Sequence, residues 1–427
     1  MAISKIVYKS SANATPEVWM DATTATAAAA DITAPKTAML ADGVMTTGTG
    51  SGGGGGITPA PAKDVNFIDF DGTILYSYTA QEAQALSALP ANPSHDRLTA
   101  QGWNWTLPQI KSQLTNVGGT VWVGQMYVTQ SGATEIDVVF PDAARLDPIL
   151  TIAVNGTITV DWGDNTTPDT VTGTSLTTRQ EVSHSYASTG SYMISISAVT
   201  GGYTFYGSTS YLLLRKNTTG NENRVYSNSV KAIRVGGNVT SMGDYAFYNC
   251  YSLASVTIPS NVTSIGSSAF YNSYSLVSVT IPSNVTSIGS SAFYGCNSLA
   301  SVTIPSNVTS IGDNAFSNCY SLASVTIPSG GTSIGNSAFS ACYSLANITI
   351  PSNVTSIGNT AFSNCYGIAE YHLKPTTPPT LGTTAFNNIV SDCIIYVPYS
   401  ADHSVLNAYQ TETNWSTYAS RMQEEPQ

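Results

Sequence analysis

The sequence predicts a mainly β, multidomain chain whose C-terminal part is a solenoid of 23-residue repeats. Phenylalanine recurs at that interval, and a fixed period of about 20–50 residues indicates coils that stack on one another. A flexible run of glycines at 52–56 separates the first 50 residues from the rest. We expect six segments: an attachment segment at 1–50, a glycine-rich linker at 51–63, a small α+β domain at 64–146, a β-sandwich at 147–225, the repeat array at 226–390 and a C-terminal cap at 391–427.

Composition and charge argue against several classes of function. Only 10% of the 427 residues are charged, against about 25% in an average soluble protein. The formal net charge of −11 makes nucleic acid and anionic membrane surfaces unattractive partners. No apolar run reaches the roughly 18 residues of a membrane span, so no membrane insertion is expected. Residues 1–11 lack the apolar region of a Sec signal peptide, which predicts synthesis in a cytosol.

Two helices and a hairpin are predicted in the α+β segment. Capping boxes at 79–82 and 106–109 each indicate a helix start, and Gly118-Gly119 would end the second helix. Alternating apolar runs at 120–129 and 134–140 flank a Ser-Gly pair and predict a β-hairpin.

The next segment carries strand signals. Residues 150–154 and 157–162 are predicted strands joined by Asn155-Gly156, a strong two-residue hairpin signal. Further strands are expected at 192–199 and 203–214. Three motifs in this segment resemble a PKD-like module, an immunoglobulin-like sandwich of surface and virion proteins. They are Val160-Asp161-Trp162-Gly163-Asp164, His184-Ser185-Tyr186 and Gly190-Ser191-Tyr192.

The residues of one repeat unit predict how that unit forms one coil of the solenoid. In residues 298–320, Leu299, Val302 and Ile304 alternate inward along a short strand, and Pro305 ends it because it has no N–H. Gly312 is expected to bend the chain before an Ala-Phe turn closes the coil. Six or seven coils about 4.8 Å apart should stack like residues on each other. The expected structural ladder consists of Phe247, Phe270, Phe293, Phe316, Phe339 and Phe362, with Cys250, Cys296, Cys319, Cys342 and Cys365.

This pattern closely resembles the BspA-like leucine-rich repeats over residues 226–395. The resemblance implies a leucine-rich-repeat solenoid of the kind known from bacterial surface antigens and from phage and prophage proteins. It extends to the tail, where Tyr409 and Trp415 stand in what looks like the family's C-terminal cap. Such a cap would shield the apolar edge of the last coil.

The cysteines are expected to be buried, reduced and structural. Metal binding needs ligands clustered at short spacing, and none of the four histidines shares the repeat register, so no metal or cofactor is predicted. Disulfides along the column are conceivable from the spacing, but parallel Cβ directions oppose them.

Other chemical motifs have simpler structural explanations, and no enzymatic activity is predicted. Residues 67–73 match the nucleophile motif of haloacid-dehalogenase-type phosphatases, with Asp69 and Asp71 as the paired carboxylates. The segment lacks the distal acidic pair of that fold, which favours a strand that ends in an Asp-Gly turn. Asp161 and Asp164 could bind calcium but more often cap a turn.

Asn-Val-Thr recurs in the repeats, at Asn238, Asn261, Asn284, Asn307 and Asn353. In a secreted eukaryotic protein these would be glycosylation acceptors. The alternative, which we prefer, is that they are solvent-facing turn residues.

A ladder of tyrosines is the candidate binding site. Tyr, Ser, Gly and Asn, the residues that antibody paratopes favour, occupy the variable positions after each phenylalanine. The candidate residues are Tyr251, Tyr274, Tyr320, Tyr343 and Tyr366. They could stack on sugar rings or pack on a protein partner; ordinary packing at the edge of the coils is the alternative.

These observations lead to a hypothesis about function. Residues 38–49 resemble the N-terminal segments of phage tail-associated proteins. The leading prediction is therefore a phage or prophage tail-fibre protein that attaches to tail or baseplate proteins of the virion and binds a host-surface glycan or protein. A bacterial cell-surface adhesin and a structural virion decoration protein are the alternatives. A homo-oligomer such as a fibre trimer is conceivable, although the sequence contains no recognisable trimerisation pattern.

Overall fold

A computed structural model describes most of the chain, in two compact units, Met1–Thr58 and Pro59–Gln427. In the first unit it describes only the strands at 6–8, 17–20, 37–39 and 45–47. In the second it describes residues 64–116, 120–207, 213–215, 226, 228–331 and 333–426. The predicted linker at 51–63 and the predicted helix stop at Gly118-Gly119 lie outside the described residues.

The described part of the first unit consists of two antiparallel strand pairs. Strand β1 (Ile6–Tyr8) pairs with β2 (Glu17–Met20), and β3 (Thr37–Met39) pairs with β4 (Met45–Thr47). The predicted attachment role of this unit stays a prediction.

The α+β segment forms a four-stranded sheet with two helices. Its strands are β5 (Val65–Ile68), β6 (Ile74–Tyr78), β7 (Leu98–Trp103) and β8 (Val121–Thr129), in the order β6-β5-β8-β7; its helices are α1 (Ala80–Ala85) and α2 (Leu107–Asn116). Both predicted capping boxes are confirmed. The Thr79 hydroxyl accepts from the Glu82 amide while the Glu82 carboxylate accepts from the Thr79 amide, and Thr106 and Gln109 make the same exchange.

The predicted hairpin at 120–140 is wrong. Strand β8 stays in the four-stranded sheet, but β9 (Thr134–Phe140) leaves it and joins a second, larger sheet. The Ser-Gly pair does form a turn, in which Gly132 has a φ of +74°. The turn therefore redirects the chain from one sheet to another instead of pairing its two neighbours.

Three long strands form the centre of the larger sheet. They are β10 (Ile149–Asp161), β11 (Asp169–Ser183) and β12 (Gly190–Thr204), joined by β9, β13 (Leu214–Arg215), β14 (Val230–Arg234) and β15 (Ser255–Thr257). The order is β11-β10-β12-β9-β14-β15, with β13 also on β10. A short 3₁₀ turn, Ala143–Arg145, precedes β10. The described residues thus show one continuous sheet, and the immunoglobulin-like arrangement of two facing sheets is not confirmed.

The predicted Asn155-Gly156 turn is wrong, because both residues lie inside β10. A type I′ turn needs positive φ at both positions, and of the two only Gly156 has it, at +117°. Gly156 instead faces Gly173 on β11 and Gly201 on β12. A Cβ on Gly156 would lie 2.2 Å from the Thr200 carbonyl oxygen, so glycine permits an irregular, tightly paired rung here.

The repeats form a solenoid of about 8 turns. The sequence predicts this type of fold, with six or seven coils. Each coil contributes short strands that pair in parallel with the same residues of the next coil, for example Val279 with Val302. One side carries β16 (Ser278–Thr280), β18 (Ser301–Thr303) and β20 (Ser324–Val325), continued by β22 (Asn347–Ile350), β24 (Glu370–Leu373), β26 (Ile394–Val397) and β27 (Met422–Glu424). Another carries β17 (Ser287–Ile288), β19 (Ser310–Ile311), β21 (Ser333–Ile334), β23 (Ser356–Ile357) and β25 (Thr380–Leu381).

The phenylalanines of the predicted structural ladder stack on one another. The rings of Phe293, Phe316 and Phe339 stack at centroid distances of 5.2 and 5.4 Å and within 6° of parallel. The repeat glycines have a different role from the predicted bend. Gly312 has no positive φ, but a Cβ there would lie 2.7 Å from the backbone of Gly289 in the preceding coil. These glycines therefore permit close approach between coils.

Both ends of the phenylalanine stack are covered. At the N-terminal end, Phe205 from just beyond β12 packs on Phe247 at 5.1 Å, so the long-strand sheet covers the first coil. At the other end, helix α3 (Ser404–Thr411) and a 3₁₀ segment (Trp415–Arg421) hold Tyr409 and Trp415, both fully buried. Trp415 lies 5.6 Å from Phe386. The predicted shielding of the last coil by this cap is confirmed.

The α+β segment packs on the strand side of the array. Three of its side chains donate to the same carbonyl of successive coils, the isoleucine that precedes each proline. Asn104 donates to Ile281 at 3.1 Å, Trp105 to Ile304 at 3.0 Å and Gln113 to Ile327 at 3.3 Å. Gly124 fits closely against the strands, since a Cβ there would lie 2.3 Å from the Thr280 hydroxyl. The outward side of these repeat strands is consequently an internal interface.

Candidate binding face

The five predicted tyrosines lie in one column along the array. They occupy the fourth residue after each phenylalanine. Four of them are exposed, from 39% for Tyr320 to 51% for Tyr366, and Tyr251 is half-buried. Tyr251 and Tyr274 stack at 5.0 Å, Tyr320 and Tyr343 at 4.9 Å, and Tyr343 and Tyr366 at 5.5 Å, all within 26° of parallel. We call this set the outer column. Asn297 takes the tyrosine position in one coil, between Tyr274 and Tyr320.

A second column of tyrosines runs beside the first and was missed by the sequence analysis. Tyr248, Tyr271 and Tyr294 follow their phenylalanines directly and stack at 4.9 and 4.7 Å. We call this set the inner column. The tyrosines of this column lie in the same variable stretch of each repeat. The position changes to serine from Ser317 onward, so it shows no single repeated residue type.

Left-handed residues in each coil present these side chains. Asn272 and Asn318 adopt φ near +60°, which asparagine tolerates, and Gly295 occupies the same place with φ +71°. The Asn249 carbonyl then accepts the Tyr251 amide at 2.8 Å in a tight turn, and the Asn272 carbonyl accepts the Tyr274 amide at the same distance. Asparagine two residues before the tyrosine therefore sets the direction of the outer column.

The columns form an uncharged phenolic surface. Burial and the neighbouring phenols, Tyr294 first among them, raise the pKa of Tyr271. Burial, then Tyr343 and Tyr294, raises the pKa of Tyr320. The hydroxyls consequently remain protonated at neutral pH and can donate as well as accept hydrogen bonds.

Stacking limits what the tyrosines can contact. Within a column, one ring covers the face of the next, so ring edges and hydroxyls are what the column presents outward. Sugar stacking on ring faces, one of the alternatives that the sequence left open, is therefore confined to places where a column stops or is broken. The binding role of the five residues stays a prediction.

The repeat cysteines are buried free thiols, as predicted. Four of the thiols donate to the phenylalanine carbonyl of the preceding coil, for example Cys319 to Phe293 at 3.2 Å; the others are Cys296, Cys342 and Cys365. Ser273 makes the equivalent, longer contact to Phe247 at 3.5 Å. Burial raises the pKa of Cys250 to about 12, so this thiol does not ionise at neutral pH.

The phosphatase-like motif is a turn. Strand β5 ends at Ile68, the Asp71 carboxylate accepts the Thr73 amide at 2.9 Å, and Gly72 has a φ of +88°. The buried Asp69 carboxylate accepts from His95 at 2.6 Å and from the Tyr127 hydroxyl at 2.7 Å, partners that the sequence analysis missed. The preferred explanation, a strand that ends in an Asp-Gly turn, is confirmed.

The PKD-like motif residues also have structural partners. Asp161 accepts the Gly163 amide at 2.9 Å, and Asp164 accepts from Thr166 and from His184, the latter at 2.8 Å. His184 stacks on Trp162 at 4.8 Å and 8°. Turn capping by the two aspartates is confirmed.

Comparison with known proteins identifies the array. Residues 218–345 and 263–393 match the BspA type leucine rich repeat region, in 6 copies. The array is a BspA-type leucine-rich repeat region. Among curated proteins, none matches the chain.

Three solved structures are similar to part of the chain. A leucine-rich repeat protein from Bacteroides ovatus is 28% identical, with 47% of this chain and 58% of that chain covered and a TM-score of 0.39. A leucine rich repeat protein from T. pallidum is 26% identical, with 37% and 85% covered and a TM-score of 0.29. A leucine rich cell surface protein from Faecalibacterium prausnitzii is 28% identical, with 38% and 59% covered and a TM-score of 0.25. The chain thus spans less than two thirds of the first and third of these proteins.

The Asn-Val-Thr positions of the BspA-type array hold coils together. The amide nitrogens of Asn261, Asn284 and Asn307 donate to backbone carbonyls of the preceding coil at 2.7–2.8 Å. The same nitrogen is the one that N-glycosylation would modify, so these bonds compete with it. The expectation of solvent-facing turn residues is correct about the turn but omitted this bonding.

Proposed function

We propose that this protein is a non-enzymatic surface-binding protein of the adhesin type, which contacts its ligand through the two tyrosine columns. The observation that carries the proposal is the aligned, partly exposed stack of phenols on a rigid array. BspA-like leucine-rich repeat proteins are typically bacterial cell-surface proteins, which agrees with this role.

The arrangement suits binding because it is preorganised. Neighbouring rings and backbone bonds hold each tyrosine before any ligand arrives, so little side-chain entropy is lost on association. Rigid phenols supply contact area and hydroxyls supply hydrogen bonds, as in antibody paratopes. The strand side of the array is occupied by the α+β segment, which leaves the tyrosine columns as an available repetitive surface.

The test is adhesion of the purified, fluorescently labelled full chain to intact bacterial cells and to immobilised mucin. The double variant Tyr343→Ser/Tyr366→Ser should reduce adhesion at least tenfold, since it removes the two most exposed rings of the outer column. Serine already occurs beside these positions, so folding should be preserved. Tyr399→Ser, which removes an exposed tyrosine of the cap, is the matched control and should adhere normally. The proposal would be refuted by an equal loss of adhesion in the double variant and in the control. It would also be refuted if the wild-type chain did not adhere.

A phage tail receptor-binding protein is the second candidate. It is favoured by the resemblance of residues 38–49 to tail-associated proteins, and strands β3 and β4 form an antiparallel pair across this segment. In this case the same tyrosine columns would contact the host surface. Antibodies against the chain should then label purified virions at the tail; labelling of uninfected cells would support the adhesin, and labelling of the capsid a decoration protein.

A further inference from the structure

The outer column is broken in the same coil in which the inner column ends. The outer column has stacked pairs on either side of Asn297, and the inner column ends at Tyr294, three residues earlier. In the next coil Ser317 follows the phenylalanine, so no ring continues the inner column. Asparagine is much smaller than tyrosine, and the place of one phenol ring in the outer column is therefore left to a short amide.

The size of this place is set by the repeat. Tyr274 and Tyr320 are two coils apart, which corresponds to about 10 Å at the usual strand spacing of about 4.8 Å. The ring that every neighbouring coil places in this register is itself six-membered. Another six-membered ring can consequently stand between Tyr274 and Tyr320 at ordinary contact distances of about 3.5–4.0 Å.

The chemistry around the place is polar but uncharged. In the orientation that satisfies its hydrogen bonds, the Asn297 amide nitrogen donates to Gly295 O at 3.1 Å and Asn318 O at 2.9 Å. Its amide oxygen is then the acceptor offered to a ligand. Tyr294 lies near enough to Tyr320 to influence its ionisation, which brings a second hydroxyl to the same edge.

We propose that the break at Asn297 is a binding subsite for one pyranose residue of a neutral glycan, held between Tyr274 and Tyr320. A pyranose has C–H bonds on both faces for the two rings and hydroxyls around its rim for the Asn297 amide and the phenols. An anionic sugar is disfavoured because the chain carries a formal net charge of −11. This inference rests on the proposed binding function and deepens it by naming the ligand class and the place.

The residues at this repeat position in other coils suggest a variant that fills the break. Asn297→Tyr restores the residue found at the same place in five other coils, so it should fold and continue the stack. Tyr399→Asn is the matched control, because it exchanges an exposed tyrosine of the cap, outside both columns. The first variant removes the subsite and the second leaves it intact.

The experiment is saturation-transfer NMR of the full chain with the neutral methyl pyranosides of glucose, galactose, mannose and N-acetylglucosamine. At least one should receive saturation on its ring protons from the wild type. Asn297→Tyr should lower that signal at least tenfold with an unchanged circular dichroism spectrum, and Tyr399→Asn should retain it. An unchanged signal in Asn297→Tyr, binding of free tryptophan at this place in preference to every pyranoside, or no signal from any of the four would overturn the proposal. In each of these cases persistent, tyrosine-dependent adhesion would leave the broader function standing.

Discussion

The strand side and the tyrosine side of the array are made by the same repeat but have opposite uses. On the strand side, serines and threonines of successive coils are buried beneath the α+β segment; Thr303 is fully covered. On the tyrosine side, the outer column is up to 51% exposed. The difference shows that a small change of residue type in one repeat decides whether a face serves internal assembly or remains available to a ligand.

Hydrogen bonds and unpaired hydroxyls both occur in the strand-side interface. Besides the three donors to the isoleucine carbonyls, Ser278 donates to Phe70 O at 2.6 Å and Thr326 to Thr120 O at 2.9 Å. Within the described residues, the buried hydroxyls of Thr257, Thr280 and Thr303 have no hydrogen-bond partner. Each such group costs about 1–3 kcal/mol. The interface therefore depends on shape and apolar packing more than on its threonines.

The largest loss of stability is expected from Trp105→Ala, which disrupts only the strand side. Trp105 is 1% exposed, packs in the α+β core and donates to Ile304 O. Its loss should destabilise the chain by about 3–5 kcal/mol in urea unfolding. Limited proteolysis should then cleave within 64–129 before it cleaves the array. Simultaneous cleavage of both regions would show that the array does not fold independently of its cover.

Two threonine variants test which hydrogen bonds stabilise the strand-side interface. Thr326 donates to Thr120 O and accepts the Trp122 amide, so Thr326→Val should cost about 1–2 kcal/mol. Thr303→Val removes a hydroxyl without a partner among the described residues and should be neutral or stabilising by up to about 1 kcal/mol. The urea midpoint should therefore fall in Thr326→Val and stay unchanged or rise in Thr303→Val. Equal destabilisation by both would contradict the assignment of the interface bonds.

The two sides also differ in how far the sequence predicted them. The inward positions, the cysteine column and the outer tyrosines follow from the 23-residue period, because each residue meets its own copy in the next coil. The docking of Asn104 and Trp105 has no local signal, since their partners lie 177 and 199 residues away. The inner column was missed because three tyrosines give way to serine.

Turn signals explain the errors in the long-strand region. Asn155-Gly156 and Ser131-Gly132 both contain a glycine with positive φ, as their patterns indicated. However, a glycine can serve a bulge or a change of sheet as well as a two-residue hairpin. Only long-range pairing, such as that of Gly156 with Gly173 and Gly201, distinguishes these uses.

On the tyrosine side, one coil has alanine at the left-handed position that orients the outer column. Ala341 adopts φ +59°, where neighbouring coils have Asn318 and Asn364 at +61°. Alanine in this conformation costs about 1 kcal/mol, which asparagine partly avoids. Ala341→Asn should raise the free energy of unfolding by about 0.5–1 kcal/mol, and Asn318→Ala should lower it similarly. The same sign of change in both variants would show that the left-handed turn does not limit stability.

The smallest expected effect concerns the ionisation of the stacked phenols. Burial first, then the neighbouring phenols, raises the pKa of Tyr271 above its ordinary value of about 10 in the unfolded chain. Since the folded chain holds this proton more tightly, the stabilising contribution is complete below about pH 10 and is lost as the pH rises toward the folded pKa. The difference in phenolate absorbance between wild type and Tyr271→Phe should therefore appear only above pH 10. Ionisation of Tyr271 at or below its ordinary pKa would mean that the columns do not stack in solution, and the contrast between a packed and an available face would then have to be abandoned.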